Sequence, residues 1–208
     1  MPTLTAENLG QYYGPLLLFR HLSFVMDETE TMAITGANGA GKSTLLRILA
    51  GVLRPKAGDV RLQVGKETIA REDHPHRVGL VAPYLGLYGT LTARENLSFL
   101  ATARRLEAPR RRIASALERV GLAERADDRV STFSSGMRQR VKYAAAILPR
   151  PSVLFLDEPS ANLDSAGRDM VEAIVREQRD RDGLVIVATN REDEAARHDR
   201  TLRIEDHR

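Results

Sequence analysis

The sequence predicts an α/β fold: a core built on a parallel sheet, antiparallel strands ahead of it, and a helical insertion within it. Three observations predict this. First, a glycine-rich turn, Gly36-Ala37-Asn38-Gly39-Ala40-Gly41-Lys42-Ser43, lies between a strand-like run at 31–35 and a helix-like run at 44–50. Second, Val153-Leu154-Phe155-Leu156 and Leu184-Val185-Ile186-Val187-Ala188 are continuously apolar, the pattern of strands covered on both faces. Third, from about 91 to 148 the pattern becomes helical, with Ile113, Leu117 and Val120 at i, i+4 and i+7.

In chain order, the first thirty residues alternate apolar and polar over 4–9 and 16–24. They read as antiparallel strands joined by a turn at Gly14-Pro15. The run 31–35 is the strand entering the glycine-rich turn, and the helix leaving it stops at Gly51. Pro55 and Gly58 bracket a turn, and 60–64 alternates like a half-buried strand. A short apolar run at 78–82 ends at Pro83 and predicts another strand. Within the helical region, Gly121 is a stop signal and 141–148 is a helix closed by Pro149. A helix over 165–181 and a last short strand over 201–204 complete the reading. There is no internal repeat, low-complexity segment or heptad run.

The chain has 208 residues and a formal net charge of +3, enough for one domain with a real core. It has no cysteine, which excludes disulfides and thiolate metal sites. No apolar stretch approaches the length of a membrane span, so a soluble cytoplasmic protein is expected. Four of the 31 basic residues are lysines and the rest arginines, read as a coding bias. Arg104-Arg105 and Arg110-Arg111-Arg112 flank Pro109 and read as a solvated face opening a helix. Contact with anionic lipid or an acidic partner is the alternative. No aromatic residues interleave with these arginines, which argues against single-strand nucleic-acid binding.

The glycine-rich turn has the form G-x-x-x-x-G-K-[ST] in a strand–loop–helix setting. Glycines let successive backbone N–H groups turn inward on phosphate oxygens. The helix N-terminus adds positive potential at the same place. Gly36, Ala37, Asn38, Gly39, Ala40, Gly41, Lys42, Ser43 and Thr44 are therefore expected to hold a nucleoside triphosphate. Lys42 reaches the β- and γ-phosphates, and Ser43 offers its hydroxyl to Mg²⁺. Asp157 follows the apolar strand 153–156 and is expected to hold the same Mg²⁺. Glu158 would orient or deprotonate the attacking water.

The segment Phe133-Ser134-Ser135-Gly136-Met137-Arg138-Gln139-Arg140 resembles the signature of ATP-binding cassette (ABC) proteins, usually L-S-G-G-Q. Ser134 and Gly136 match; Phe133, Ser135 and Met137 depart. A serine at a helix start also reads as a plain N-cap. The resemblance covers nearly the whole chain. It implies a P-loop NTPase, RecA-like core with an antiparallel β subdomain and an inserted α-helical subdomain, about 84–150, in a single nucleotide-binding domain over 1–208. It implies that Tyr13 stacks on adenine, and that Ser160-Ala161-Asn162-Leu163-Asp164 is a loop passing between subunits. It further implies that Ser134 and Gly136 close on ATP held by a second ATP-binding subunit, as a homodimer. The region around 91–97 would receive a coupling helix of an integral membrane permease.

Two positions depart from the family. No glutamine stands near Pro83, where one is expected, and Asn190 follows the last buried strand in place of a histidine. Asparagine can hydrogen-bond a phosphate oxygen but carries no proton. Slow hydrolysis is expected, dependent on Glu158, with Asn190 sensing phosphate. The resemblance implies the ATPase of an ABC transporter, peripheral on the cytoplasmic face of the membrane. Few residues follow the last strand, so no regulatory domain is expected and export is favoured over import. The motifs are similar to those of the ATPase of the cytochrome c maturation haem exporter. The signature is similar to that of multidrug or polysaccharide exporter ATPases. A soluble ABC ATPase acting on nucleic acid or ribosomes is the alternative, although such relatives carry two cassettes or a long coiled-coil insertion. A phosphoryl-transferring kinase leaves the signature unexplained.

Overall fold

The computed structural model describes every residue except Glu28 and Asn162. Asn162 belongs to the segment expected to pass between subunits, so that part of the expectation lies outside the described residues.

The N-terminal alternation forms β1 (Pro2–Tyr13) and β2 (Leu16–Met26), paired antiparallel through the Gly14-Pro15 turn. The strand β3 (Thr31–Thr35) leads through the glycine-rich turn into α1 (Lys42–Leu49). Next come β4 (Ala57–Val64) and β5 (Glu67–Ile69), which complete an antiparallel sheet in the order β2-β1-β4-β5. Gly58 lies inside β4, not at a turn as its type suggested. It faces an irregularity in β1, at a positive φ of 79°, where an added Cβ would lie 2.3 Å from the Glu7 carbonyl oxygen.

A 3-10 turn (Arg71–Asp73) and a one-turn helix α2 (His74–Arg77) lead to β6 (Val78–Val81). Three helices follow before the next strand: α3 (Ala93–Ala103), α4 (Pro109–Arg119) and α5 (Ser135–Ile147). Thr92 and Glu95 form a complete capping box on α3, worth about 1 kcal/mol. The helix α5 starts six residues before the apolar run that predicted it. Its first turn, Ser135-Gly136-Met137-Arg138, carries no apolar stripe, so capping by Ser134 sets the start.

The arginine clusters correct the sequence reading. Only Arg110 to Arg112 open a helix; Arg104 ends α3 and turns inward, donating from Nη1 to the Val78 carbonyl at 2.9 Å.

The chain closes with β7 (Val153–Asp157), α6 (Ser165–Asp180), β8 (Leu184–Ala188), α7 (Glu192–Ala195) and β9 (Arg200–Arg203). The second sheet is wholly parallel, in the order β6-β7-β8-β3-β9. Its strands divide their side chains between two cores with a period of two. Phe155 and Ile186 join α1 and the antiparallel sheet on one face. Leu154, Leu156, Val185 and Val187 join the helices α3 to α6 on the other. Burial on both faces explains why β7 and β8 are continuously apolar.

Candidate nucleotide site

Parallel register fixes the site. Asp157 at the end of β7 stands beside Ala188 at the end of β8, and Ala188 stands beside Ile34 of β3. The phosphate loop, the Asp157-Glu158 pair and the Thr189-Asn190 turn therefore emerge together at the carboxyl edge of the sheet.

The loop's shape depends on glycine at two positions. Gly36 has φ 147°, and an added Cβ would lie 2.7 Å from both Ile204 and Glu205. Gly41, at φ 113°, is the residue from which α1 starts, and its Cβ would press on Leu18 and Ile204. Lys42 is buried and donates from Nζ to the carbonyls of Gly36 and Ala37 at 2.8 and 3.1 Å. Its ammonium lies 4.0 Å from Glu158 Oε1. A cavity of about 480 Å³ is lined by Tyr13, Asn38, Gly39, Lys42, Ser43 and Glu158 among others. Tyr13 is 48% exposed at its rim. Ala37, Ala40 and Thr44 complete the loop and the first turn of α1.

Asp157 is 2% exposed, and its Oδ1 has no hydrogen-bond partner among the described residues. Burial pushes its carboxyl up, while the Ser43 hydroxyl and the charges of Lys42 and Arg47 pull it down. A buried, orphaned carboxylate oxygen beside a serine hydroxyl is an oxygen donor set that fits a Mg²⁺ ion. Burial also pushes Glu158 up, against the charge of Lys42, with Asp157 and Glu194 adding to the rise. That change favours a carboxylate able to take a proton. Glu158 sits at φ 50°, a strained conformation for a residue with a side chain, and its N–H donates to the Ala188 carbonyl at 2.9 Å. Asn190 donates from Nδ2 to Asn38 Oδ1 at 3.2 Å, which brings it to the tip of the phosphate loop.

Ser134, Gly136 and Asp164 meet elsewhere. They line a second cleft of about 380 Å³ with Arg125 and Arg140, sharing no residue with the first. Within this chain Ser134 caps α5, accepting from the Met137 N–H at 3.2 Å. Asp164 caps α6, accepting from the Gly167 N–H at 2.8 Å, and lies 3.5 Å from Arg140 Nη2. Hence the chain gathers Tyr13, the loop, Asp157, Glu158 and Asn190 in one place, and Ser134, Gly136 and Asp164 in another.

Sequence reasoning missed three supporting groups. Glu205 accepts the Ala37 N–H at 2.7 Å, and that bond holds its carboxyl below the ordinary range. Glu194 of α7 accepts a hydrogen bond from the Ser160 hydroxyl, beside Glu158 in the chain. Arg47 donates from Nε to the Ser43 carbonyl at 3.2 Å. Helical spacing from Ser43 could have suggested the last; the first two span 168 and 34 residues and carry no local signal.

Residues 19–161 match the family described as ABC transporter. The chain is 34% identical over 192 residues to the linearmycin resistance ATP-binding protein LnrL of Bacillus subtilis (strain 168), covering 90% of this chain and 60% of that protein. The chain thus spans less than two thirds of that relative's length. It is 36% identical over 191 residues to the cytochrome c biogenesis ATP-binding export protein CcmA of Brucella abortus (strain 2308), covering 90% and 85% of the two chains. Among solved structures, the ATP-binding cassette MJ0796, a dimer bound to ADP and Pi, has the same fold, with a TM-score of 0.83 at 22% identity, covering 96% of this chain and 93% of that one. On the family match and the length of chain shared with these relatives, the chain belongs to the ABC transporter ATP-binding family.

Proposed function

We propose that the chain is a single nucleotide-binding domain that hydrolyses Mg²⁺-ATP to drive export through an integral membrane permease. The observation that carries the reading is the convergence of Lys42, the orphaned Asp157 oxygen and Glu158 at one sheet edge. Lys42 and the loop N–H groups hold the phosphates, and Tyr13 offers its ring to the base. Ser43 and Asp157 would hold Mg²⁺, which would supply positive charge to offset that of the phosphates. Glu158 orients the attacking water and accepts its proton. Asn190 senses the γ-phosphate but, lacking an ionisable group, leaves all the base work to Glu158. Two copies assemble head to tail, so that Ser134, Gly136 and Asp164 of one complete the site of the other. That the ATP-binding cassette MJ0796, of similar fold, is a dimer bound to ADP and Pi supports pairing of two copies.

The permease is expected at a groove of about 380 Å³ beside α3. Tyr88 and Phe99 line it, 54% and 56% exposed, with ring centroids 5.4 Å apart. An exposed aromatic pair beside Arg104 and Lys142 suits an amphipathic helix from a membrane partner. Such docking would place the chain on the cytoplasmic face of the membrane. Export is favoured because the relative of nearly matching length is named an export protein. Neither cleft offers a reading that favours nucleic acid.

Steady-state hydrolysis of wild type, Glu158→Gln and Asn190→Ala tests the site. Glu158→Gln is expected to lose about 100-fold or more in turnover, and Asn190→Ala much less. An undiminished rate in Glu158→Gln would sink the assignment.

A further inference from the structure

The loop leaving β6 is held from three directions. Lys142 of α5 donates from Nζ to the carbonyls of Ala82 and Pro83 at 3.2 and 3.0 Å. Asn96 of α3 exchanges hydrogen bonds with the backbone of Tyr88, accepting at 2.9 Å and donating at 3.0 Å. The Tyr84 ring lies over the Arg47 guanidinium, 5.1 Å from its centroid, within the range of a cation–π contact.

Arg47 stands on α1, one turn after the phosphate loop. Its guanidinium bonds the Ser43 carbonyl at 3.2 Å and the Thr44 hydroxyl at 3.4 Å. The Ser43 hydroxyl pulls the Asp157 carboxyl down, and both Tyr84 and Asp157 feel the Arg47 charge. Contacts thus run from the Tyr84 ring to Arg47, and from Arg47 to Ser43 and Thr44 at the end of the phosphate loop. Pro83 presents a fixed φ and no N–H, so it offers neither side-chain reach nor a backbone donor to the site. The Tyr84 side chain of this loop reaches Arg47. With one face on Arg47, the ring restricts the rotamers of a long cationic side chain and holds both of its bonds in place.

We propose that Tyr84 and Arg47 are positioning residues that hold the metal end of the phosphate loop. The proposal rests on the reading that Ser43 and Asp157 hold Mg²⁺. Losing the ring frees Arg47 and loosens Ser43. The bonds of Lys42 to the loop carbonyls do not involve Tyr84, so phosphate binding without metal should survive.

The test is binding of a fluorescent ATP analogue to the full chain, with Mg²⁺ and with a chelator. The variants are Tyr84→Leu, Tyr84→Phe, Arg47→Gln and the double Tyr84→Leu/Arg47→Gln, each checked by thermal melting. Tyr84→Leu is expected to weaken binding about threefold to tenfold with Mg²⁺ and to leave chelator binding unchanged. Tyr84→Phe keeps the ring and should restore wild-type affinity. The double variant should bind no more weakly than Arg47→Gln alone. Equal losses with and without metal, full additivity in the double variant, or a Tyr84→Leu protein with wild-type Mg²⁺ dependence would each overturn the proposal. A wild type whose binding ignores Mg²⁺ would overturn the metal reading itself, and this proposal with it.

Discussion

The two clefts of this chain are built to different standards of completeness. Around the phosphate loop, Lys42 is buried over loop carbonyls, Glu205 grips the Ala37 N–H, and Asn190 reaches Asn38. Gly36 has no room for a side chain, Gly41 holds a φ that side chains rarely adopt, and Asp157 Oδ1 at the sheet edge has no hydrogen-bond partner among the described residues. Around Ser134, the polar groups satisfy one another: the hydroxyl caps α5, and Asp164 caps α6 and faces Arg140. One cleft is organised for a ligand before the ligand arrives. The other is a pair of capped helix starts, which on the proposed function would become a phosphate site only when a second copy brings its nucleotide to it. The difference teaches that the first cleft should bind nucleotide alone, and the second should matter only in an assembled pair.

The largest way to break that contrast is Lys42→Ala. It should weaken nucleotide binding by about 100-fold in the isolated chain, since it deletes charge-assisted bonds to phosphate. Calorimetric titration checks this, and near-normal affinity would break the contrast at once.

Ser134→Asp sharpens it next. Aspartate caps a helix as well as serine, so melting should hold, but its charge opposes an incoming phosphate. Hydrolysis should fall about tenfold or more while nucleotide affinity of the dilute chain stays within about twofold. A variant that loses nucleotide affinity in dilute solution would show that the second cleft binds by itself.

The smallest effect concerns Glu205. Its carboxyl is held below the ordinary range chiefly by the Ala37 N–H. A depressed folded pKa means the stabilisation is present above the unfolded value, about 4.3 for glutamate, and is lost as pH falls through the folded one. Melting curves of wild type and Glu205→Gln should therefore converge as pH drops below about 4. Parallel curves across that window would remove Glu205 from the support of the loop.

The part of this architecture carried by local spacing was legible in the sequence. The strand, turn and helix around Lys42 stand within one segment of chain, and β7 and β8 announce their double burial by unbroken apolar runs. The start of α5 was not legible, because Ser135 to Arg138 replace an apolar stripe with a cap and charges. Gly58 misled because a glycine opposite a strand irregularity carries the same letter as one in a turn. Arg104 misled because a long side chain can sink its charge onto a carbonyl that composition does not reveal. Glu205 and Glu194 were invisible because only the folded sheet brings them to the loop and to Ser160. Sequence spacing could name Ser134, Gly136 and Asp164 together, but could not say that they gather away from Lys42.

The claim that one working site is shared between two copies has a direct measurement: ATPase activity of an equal mixture of Lys42→Ala and Ser134→Ala proteins. Each variant alone carries the same fault in both of its sites. In a mixed pair, one site joins an intact Lys42 to an intact Ser134, and the other collects both faults. Mixing is expected to restore activity well above either protein alone, towards about one quarter of wild type if pairs form at random. A mixture no more active than the sum of its parts would contradict it.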